Sequence, residues 1–318
     1  MPQFDVTIAG ELNLDLILYG LPEALELERE LLADNYMLTL GGSSAIVAHN
    51  LAALGCKVGF VSVIGDDAMG QIALDRLVAG GVDISGVQRS RDGIRTGVTV
   101  VLQHAARRHM LTYMGTIPEI AFDDLDLKHL KAARHFHLSS FYLQTRLQPR
   151  IPELFGDLKA AGLTISMDTN DDPADVWQAG IFDALKLVDV FLPNEREATR
   201  ITGKSNLEDA LAQLAEIVPI VVVKVGAQGA VAQWGTKRLS SPALPLECVD
   251  AVGAGDSFNA GFLSEYVRGA DLPTCLAMGN LAGAFSTTRA GGTEAFREPE
   301  HRKQFWKAHA QRLTSSSK

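Results

Sequence analysis

Residues 250–258 read DAVGAGDSF, and a helical pattern of apolar residues follows from Phe258 onward. A glycine-rich turn that opens a helix leaves backbone N–H groups without intrahelical partners at the positive end of the helix dipole. Such a turn binds anions, and a phosphate group fits it well. A carboxylate in the same turn, Asp256, would repel an anion, so its position indicates a base that takes a proton from a hydroxyl. A plain helix start, where an acidic residue favours the dipole, explains the same residues without chemistry.

The segment closely resembles the second signature of the ribokinase-like (PfkB) carbohydrate kinases, D-T-x-G-A-G-D-x-F. It matches at every fixed position except Ala251, where the family usually has threonine. The resemblance implies that Asp256 is the catalytic base and that the amides of Gly253, Ala254 and Gly255 form the anion hole. The missing threonine hydroxyl removes one hydrogen bond near the turn.

Composition and charge exclude several other classes of protein. The 318 residues carry a net charge of −9, which argues against nucleic acid and anionic membranes, because both require a basic face. The three cysteines are widely spaced without a C-x-x-C pair, so neither a disulfide framework nor a zinc site is indicated. The chain shows no signal peptide and no apolar run of the roughly 18 to 20 residues that a membrane span needs. We therefore expect a cytoplasmic protein.

Strand and helix patterns alternate through most of the chain, which indicates a mainly parallel sheet covered by helices. With the resemblance, this predicts one ribokinase-like three-layer α/β/α domain over residues 1–318. Buried strands are expected at 6–9, 58–63, 136–138, 163–167, 188–192 and 220–225. Helices are expected at 44–54, 69–79, 152–161, 195–202 and 207–217.

Two stretches break this alternation. Strand patterns at 12–18 and 36–40 flank an acidic helical insert around 22–32, and patterns at 96–103 and 108–114 flank a polar turn. They predict a separate small β-sheet built from insertions at about 11–41 and 95–115; the alternative is an edge extension of the main sheet. The resemblance favours the small sheet and implies that it acts as a lid. Exposed sheet edges often pair, so a homodimer through this lid is expected.

Gly41 and Gly42 open a helical segment and let the backbone approach a ligand closely. For an isolated glycine pair, a plain strand-to-helix turn capped by Ser44 is the favoured explanation. The spacing to later glycines resembles the first PfkB signature, which implies that Gly41 and Gly42 contact sugar hydroxyls. Ile46 stands where the family often has asparagine, so the sugar specificity of relatives does not transfer to this chain.

Asn13 and Asp15 lie two residues apart in an extended pattern and therefore share one face. An amide beside a carboxylate suits a polyol, although a solvated strand face would show the same alternation. The pair resembles the sugar-binding N-x-D of ribokinase-like enzymes, which implies a substrate-binding role.

Polar residues also follow the later strands. Asn194 and Glu197 lie at a predicted helix start, where Glu197 favours the dipole; the resemblance implies that this N-x-x-E pattern organises Mg²⁺ and phosphates through water. The resemblance implies that Lys224 approaches the phosphates. The family uses the G-x-x-G loop of Gly226 and Gly229 to cover the nucleotide, and a hairpin without a ligand is the alternative.

Two further resemblances concern the C-terminal third of the chain. Asn280 matches the adenine-pocket segment of the family, although small residues on a helix also indicate close packing. In several relatives the carbonyls of the loop that matches 286–293 bind K⁺ together with the aspartate that matches Asp250.

The best hypothesis is an ATP-dependent kinase that phosphorylates a hydroxyl of a small sugar or sugar derivative, with ATP and Mg²⁺ and a K⁺ site at Asp250. A nucleoside kinase of the same family is the alternative. A dinucleotide-dependent oxidoreductase would need the motif G-x-G-x-x-G directly after the first strand. Ala9 and Gly10 stand at that place, and the motif does not follow them. A catalytically inactive sugar sensor would lack the base or the anion hole, and the sequence has both.

Overall fold

The computed structural model describes residues 2–104 and 107–314. The polar tail at 315–318, expected to fray, and the centre of the turn at 104–107 lie outside these residues. The strands are β1 (Phe4–Ala9), β2 (Asn13–Tyr19), β3 (Asn35–Gly41), β4 (Val58–Ile64), β5 (Asp83–Arg89), β6 (Val98–His104), β7 (Arg107–Tyr113), β8 (Ala133–Leu138), β9 (Thr164–Met167), β10 (Val190–Phe191), β11 (Ile220–Lys224), β12 (Ala230–Trp234) and β13 (Lys237–Ser241).

The helices alternate with the strands of the main sheet through most of the chain. They are α1 (Ser43–Ala53), α2 (Ala68–Ala79), α3 (Leu127–Leu130), α4 (Ile151–Ala160), α5 (Ile181–Leu185), α6 (Glu195–Thr202), α7 (Leu207–Ala215), α8 (Ala254–Tyr266), α9 (Leu272–Ser286), α10 (Glu294–Arg297) and α11 (Pro299–Thr314). Within the described ranges, no helix has both the length and the apolar character to cross a membrane.

The main sheet has nine strands in the order β13-β12-β11-β10-β9-β8-β1-β4-β5. Every pair from β11 to β5 is parallel, and β12 and β13 extend the sheet as an antiparallel hairpin. Helices α4 to α7 pack on one face, and α1, α2, α8 and α9 pack on the other. The predicted three-layer α/β/α fold is confirmed. The predicted strand at 188–192 is shorter than expected, since only Val190 and Phe191 pair.

The second sheet, which we call the small sheet, has four strands in the order β3-β2-β6-β7. It is separate from the main sheet, so the prediction of an edge extension is wrong and that of a small sheet is confirmed. Because β2 lies at its centre, Asp15 pairs with Thr39 on one side and with Thr99 on the other.

The expected acidic helix around 22–32 is absent, and these residues form bends and turns between β2 and β3. Leu27 and Leu32 are 92% and 76% exposed, so the segment buries no apolar face. A helix shorter than about 12 residues is marginal in water without such packing. The charge pattern alone therefore did not suffice to form one.

The two helices behind the anion-binding turn, α8 and α9, pack closely at a glycine. A Cβ on Gly261 would lie 2.5 Å from the Cβ of Ala282 and 2.5 Å from the carbonyl oxygen of Met278. Gly261 therefore sets the separation of the helices, and with it the position of the turn that starts α8.

We expect Gly261→Ala to destabilise the fold by about 1–3 kcal/mol, because the added methyl forces the two helices apart. Gly156 in α4 is the matched control, since its Cβ would meet nothing within 4 Å. Gly156→Ala should stabilise the protein by about 0.5–1 kcal/mol through helix propensity. Urea unfolding measures both, and two effects of the same sign would contradict the assigned packing.

Candidate active site

The predicted site residues converge where the carboxyl ends of the parallel strands meet the start of α8. In an open parallel sheet, this edge is where ligands bind. Asn13 and Asp15 come from β2, Lys224 ends β11, Glu197 lies in the first turn of α6 and Asp256 in the first turn of α8. The main sheet and the small sheet thus contribute to one cleft.

Gly41 and Gly42 lie directly against Asn13 and Asp15, the residues predicted to bind the substrate. A Cβ on Gly41 would be 2.1 Å from Oδ1 of Asp15 and 2.8 Å from Nδ2 of Asn13. Gly42 has φ 78° and precedes α1, and its Cβ would lie 2.5 Å from Oδ1 of Asn13. Nδ2 of Asn13 donates to Oδ1 of Asp15 at 3.4 Å. Any side chain in this turn would displace the two polar groups, so both glycines are required for their position.

A buried carboxylate that sequence reasoning missed, Glu11, anchors the same turn. It is 2% exposed and follows β1. Its oxygens accept hydrogen bonds from Ser44 N (3.1 Å), Ser44 Oγ (2.7 Å), Ser140 Oγ (2.7 Å) and Gln144 Nε2 (2.8 Å). Four donors compensate for the loss of water around a buried charge. Glu11 therefore ties the start of α1 to the segment after β8.

Asn170 and Ser140, which follow β9 and β8, were also missed. Both have left-handed backbones, with φ 52° and 55°, a conformation that costs free energy in residues other than glycine and clusters at functional sites. Nδ2 of Asn170 donates to Ser140 Oγ at 2.9 Å and to the hydroxyl of Ser43. Ser43 in turn hydrogen-bonds Asp256. The two loops therefore help to orient the predicted base.

Asp256 is a buried carboxyl group with a strongly shifted pKa. Burial and the neighbouring Asp168 raise the pKa of Asp256 to about 7, while Lys224 and the Ser43 hydroxyl oppose the rise. A carboxyl group with a pKa near neutrality can both accept and release a proton at physiological pH. The pKa of Asp15 is likewise raised to about 7, by burial and then by Asp256 and Asp250.

Asp168 follows β9 and is the fully buried partner of Lys224. Nζ of Lys224 donates to Oδ2 of Asp168 at 2.5 Å and to Oδ1 of Asn259 at 3.3 Å, and the Asn259 amide also donates to Asp168. Burial alone would lower the pKa of Lys224, but Asp168 and Glu197 raise it, so the lysine stays charged. A Cβ on Gly255 would lie 3.7 Å from Nζ of Lys224. A fixed positive charge therefore lies beside the anion-binding turn.

Asn194 and Glu197 form a capping box at the start of α6. Asn194 N donates to Oε2 of Glu197 at 2.8 Å, and Glu197 N donates to Oδ1 of Asn194 at 2.9 Å. Burial and Asp168 raise the pKa of Glu197 to about 7. The motif thus caps the start of α6, and its metal role stays a prediction.

The charge balance of the cleft nevertheless fits a divalent cation. Besides burial, Asp168 raises the pKa of both Glu197 and Asp256, and the cation Lys224 opposes the rise in each. In the described part of the chain, no three His, Cys, Asp or Glu side chains are arranged to hold a metal directly. Mg²⁺ keeps much of its water shell and uses few carboxylates, so a site completed by water and phosphate oxygens matches this donor set.

The residues predicted to cover the nucleotide lie around the β11–β12 hairpin. Gly226 has φ 58° and faces open space, whereas Gly229 has φ 102° and its Cβ would lie 2.1 Å from the Ser241 carbonyl oxygen. Nδ2 of Asn280 donates to that carbonyl and to the Ser241 hydroxyl, each at 2.9 Å. Asn280 therefore ties α9 to β13 at the edge of the cleft.

Asp250 organises the turn that precedes α8. Its Oδ1 accepts from Val252 N at 2.9 Å, and its Oδ2 accepts from Gly291 N at 3.0 Å and from the Tyr19 hydroxyl at 3.1 Å. Gly253 has φ 71° as the N-cap of α8. Ala254 N makes only a long bond, 3.3 Å, to the Ala251 carbonyl. The start of α8 thus presents weakly engaged amides beside Asp256.

The model of the pfkB family of carbohydrate kinases matches residues 3–299, nearly the whole chain. The chain belongs to this family. A putative ribokinase II from E. coli, solved with ATP and Mg²⁺, shares 25% identity with this kinase at a TM-score of 0.84, covering 96% of this chain and 99% of that one. The match therefore covers nearly the whole length of both chains.

The names of this kinase's relatives differ in the acceptor that they give. An ATP-dependent ribose-1-phosphate kinase from Halopiger xanaduensis is 29% identical, over 91% of this chain and 94% of its own length. A cytidine kinase from Thermococcus kodakarensis is 30% identical, over 86% of this chain and 93% of its own length. The family therefore establishes a kinase but leaves the acceptor class undecided between sugars and nucleosides.

The shifted pKa of Asp256 predicts the pH dependence of stability without ligands. The pKa is near 3.8 when unfolded and about 7 when folded, so its favourable contribution is complete below pH ~4 and is lost as the pH rises through 7. Asp256→Asn should therefore stabilise the protein at pH 8, on the order of 1–4 kcal/mol, with the gain vanishing toward pH ~4.

Chemical unfolding at pH 4, 6 and 8 measures this effect, and Asp92→Asn at an exposed site is the matched control. A gain that is the same at all three pH values, or that Asp92→Asn reproduces, would contradict the assigned electrostatics.

Proposed function

We propose that this PfkB kinase transfers the γ-phosphoryl group of ATP to a hydroxyl of a small sugar or sugar derivative, with Asp256 as the general base. The observation that carries the proposal is the juxtaposition of the first-turn amides of α8 with a buried carboxyl group whose pKa is about 7. Transfer to an alcohol requires both: amides where charge develops on the phosphoryl oxygens, and a base for the acceptor proton.

The acceptor would bind between the small sheet and the Gly41–Gly42 turn. Asn13 and Asp15 offer amide donors and carboxylate acceptors there, a set suited to the adjacent hydroxyls of a polyol. The acceptor hydroxyl would donate its proton to Asp256 as the oxygen attacks the phosphorus. Closure of the small sheet as a lid would exclude water, which otherwise competes as the acceptor.

The nucleotide would lie along the other half of the cleft, with its terminal phosphate at Gly253, Ala254 and Gly255. Lys224 would place a positive charge beside the phosphates. Glu197, with the Asn194 amide that holds it, would bind Mg²⁺ through water, and bound Mg²⁺ would neutralise phosphate charge during transfer.

The adenine end of the nucleotide would lie under the Gly226 and Gly229 loop, next to Asn280. Potassium is not part of the proposal, because both oxygens of Asp250 already accept hydrogen bonds from the protein.

A nucleoside acceptor is the second candidate, favoured by the similarity to the cytidine kinase. Thermal-shift screening against sugars, sugar phosphates, polyols and nucleosides, with a non-hydrolysable ATP analogue present, separates the two, because a ligand of the native state raises the melting temperature. A response to nucleosides alone would replace the sugar proposal with this one.

We expect Asp256→Asn to lower kcat by at least about 10²–10⁴-fold while ATP binding changes little, because the base acts only in the transition state. Asn13→Ala and Asp15→Ala should mainly raise the KM of the acceptor. Steady-state kinetics with the acceptor from the screen measures all three. A nearly normal kcat in Asp256→Asn would show that this residue is not the general base. A change confined to the KM of ATP in the other two variants would show that Asn13 and Asp15 belong to the nucleotide pocket instead of the acceptor pocket.

The small sheet also supports the proposal of a homodimer. On the face formed by Leu16, Leu18 and their neighbours, Tyr36, Leu111 and Tyr113 are 68%, 58% and 55% exposed. Exposed apolar patches of this kind mark interaction surfaces. Sedimentation analysis should give a dimer that Leu111→Lys dissociates, and a wild-type monomer would contradict the proposal.

Free cysteines and the need for ATP support a cytoplasmic location.

A further inference from the structure

We propose that Tyr19 is a positioning residue that couples the small sheet to the anion-binding turn, an inference that rests on the proposed function. Tyr19 is the last residue of β2, on the strand that also carries Asn13 and Asp15. Its hydroxyl donates to Oδ2 of Asp250 at 3.1 Å, across 231 residues of sequence. One side chain therefore joins the acceptor-binding strand to the start of the turn before α8.

Asp250 transmits this contact to the turn through backbone donors. The oxygen bonded by Tyr19 also accepts from Gly291 N at 3.0 Å, and the other oxygen accepts from Val252 N at 2.9 Å. Gly253 packs against the same loop, because its Cβ would lie 2.5 Å from the Cα of Gly292. The position of the Asp250 carboxylate thus determines where the turn and the loop at 291–292 lie.

A link from Asn50 makes the turn, the loop and α8 one unit. Nδ2 of Asn50 donates to the Gly292 carbonyl at 3.0 Å and to the hydroxyl of Ser257 at 2.9 Å. Ser257 follows Asp256 in the first turn of α8. A displacement of the 291–292 loop is therefore passed to the residues next to the base.

The neighbouring strand, β3, contacts the same loop independently. Thr39 Oγ1 donates to Glu294 at 2.8 Å, and Glu294 also pairs with Arg76 of α2 at 2.8 Å. A Cβ on Gly291, which has φ 83°, would lie 3.0 Å from Thr39 Cγ2. Two strands of the small sheet thus touch the segment that holds the anion-binding turn, and Tyr19 contributes the contact that ends on Asp250.

Tyr19 is suited to act as a constant donor. Burial and the adjacent Asp250 carboxylate raise the pKa of Tyr19 above its ordinary value, so the hydroxyl keeps its proton at physiological pH. In this proposal the bond depends on the position of the small sheet. When the sheet is in place over the acceptor, the bond forms and the turn is fixed for phosphate; when the sheet moves away, the turn loses this support.

Tyr19→Phe tests the inference by removing only the hydroxyl. Hydrogen–deuterium exchange of the protein alone should become roughly five-fold faster in peptides that cover 250–256 and 287–293, as expected for the loss of one hydrogen bond. Tyr142→Phe is the matched control: it removes a hydroxyl that has no hydrogen-bond partner among the described residues, so exchange in these peptides should stay unchanged. Unchanged exchange in Tyr19→Phe, or an equal change in both variants, would overturn the coupling.

Kinetics supply the second readout. Tyr19→Phe should lower kcat about 5–20-fold with less than a two-fold change in the acceptor KM, and more ADP should form per phosphorylated product. In an Asp250→Asn background the same substitution should have no further effect on kcat, because its partner is already altered. Additive effects would overturn the coupling.

The exchange experiment requires no acceptor, so the two proposals fail separately. Faster exchange in Tyr19→Phe, in a protein that phosphorylates no acceptor, would contradict the proposed function and support the coupling. Unchanged exchange in an active kinase would contradict the coupling and leave the proposed function intact.

Discussion

The crowding of acidic side chains at one edge of the main sheet is the constraint on which the site depends. Asp15, Asp168, Glu197 and Asp256 lie in or beside one cleft. Lys224 opposes the charge of Asp168, Glu197 and Asp256, and Arg108 opposes that of Asp15. Taking a carboxylate out of water costs free energy unless charge or hydrogen bonds compensate. Without ligands, this cost appears as pKa values of Asp15, Glu197 and Asp256 that are raised to about 7. The negative charge that remains fits the proposed binding of Mg²⁺ with ATP.

The same constraint explains how the surrounding hydrogen bonds are distributed. Glu11 has four donors and Asp168 is held by Lys224 and Asn259, so these two carboxylates are structural supports. Asp256 has far fewer partners, which leaves it available to a ligand. Stability is therefore lowered at the residue proposed to do the chemistry, as is common where function and stability compete.

The sequence predicted those parts of the fold that depend on local pattern. Continuous apolar runs identified the central strands. Short strand patterns that interrupt the strand–helix alternation identified the four strands of the small sheet. The edge strands β5 and β13 were missed because they are only half-buried and their sequences lack an apolar run. The expected helix at 22–32 failed for the related reason that charge pattern without a buried face does not stabilise a helix.

The site was predictable only where a motif supplied it. Asp168 carried a usable signal, a polar residue directly after a predicted buried strand, and it could have been found. Glu11 could not, because its donors lie 33 to 133 positions away and only the fold brings them together. Tyr19 shows the same limit, since its partner is 231 residues distant.

The central claim is that the amides at the start of α8 and the carboxylate of Asp256 meet where a terminal phosphate faces an alcohol. A crystal structure with a non-hydrolysable ATP analogue and the acceptor tests it most directly. The γ-phosphate should lie within hydrogen-bonding distance of the Gly255 amide, and the acceptor hydroxyl should lie against Asp256. A triphosphate bound away from this turn would contradict it.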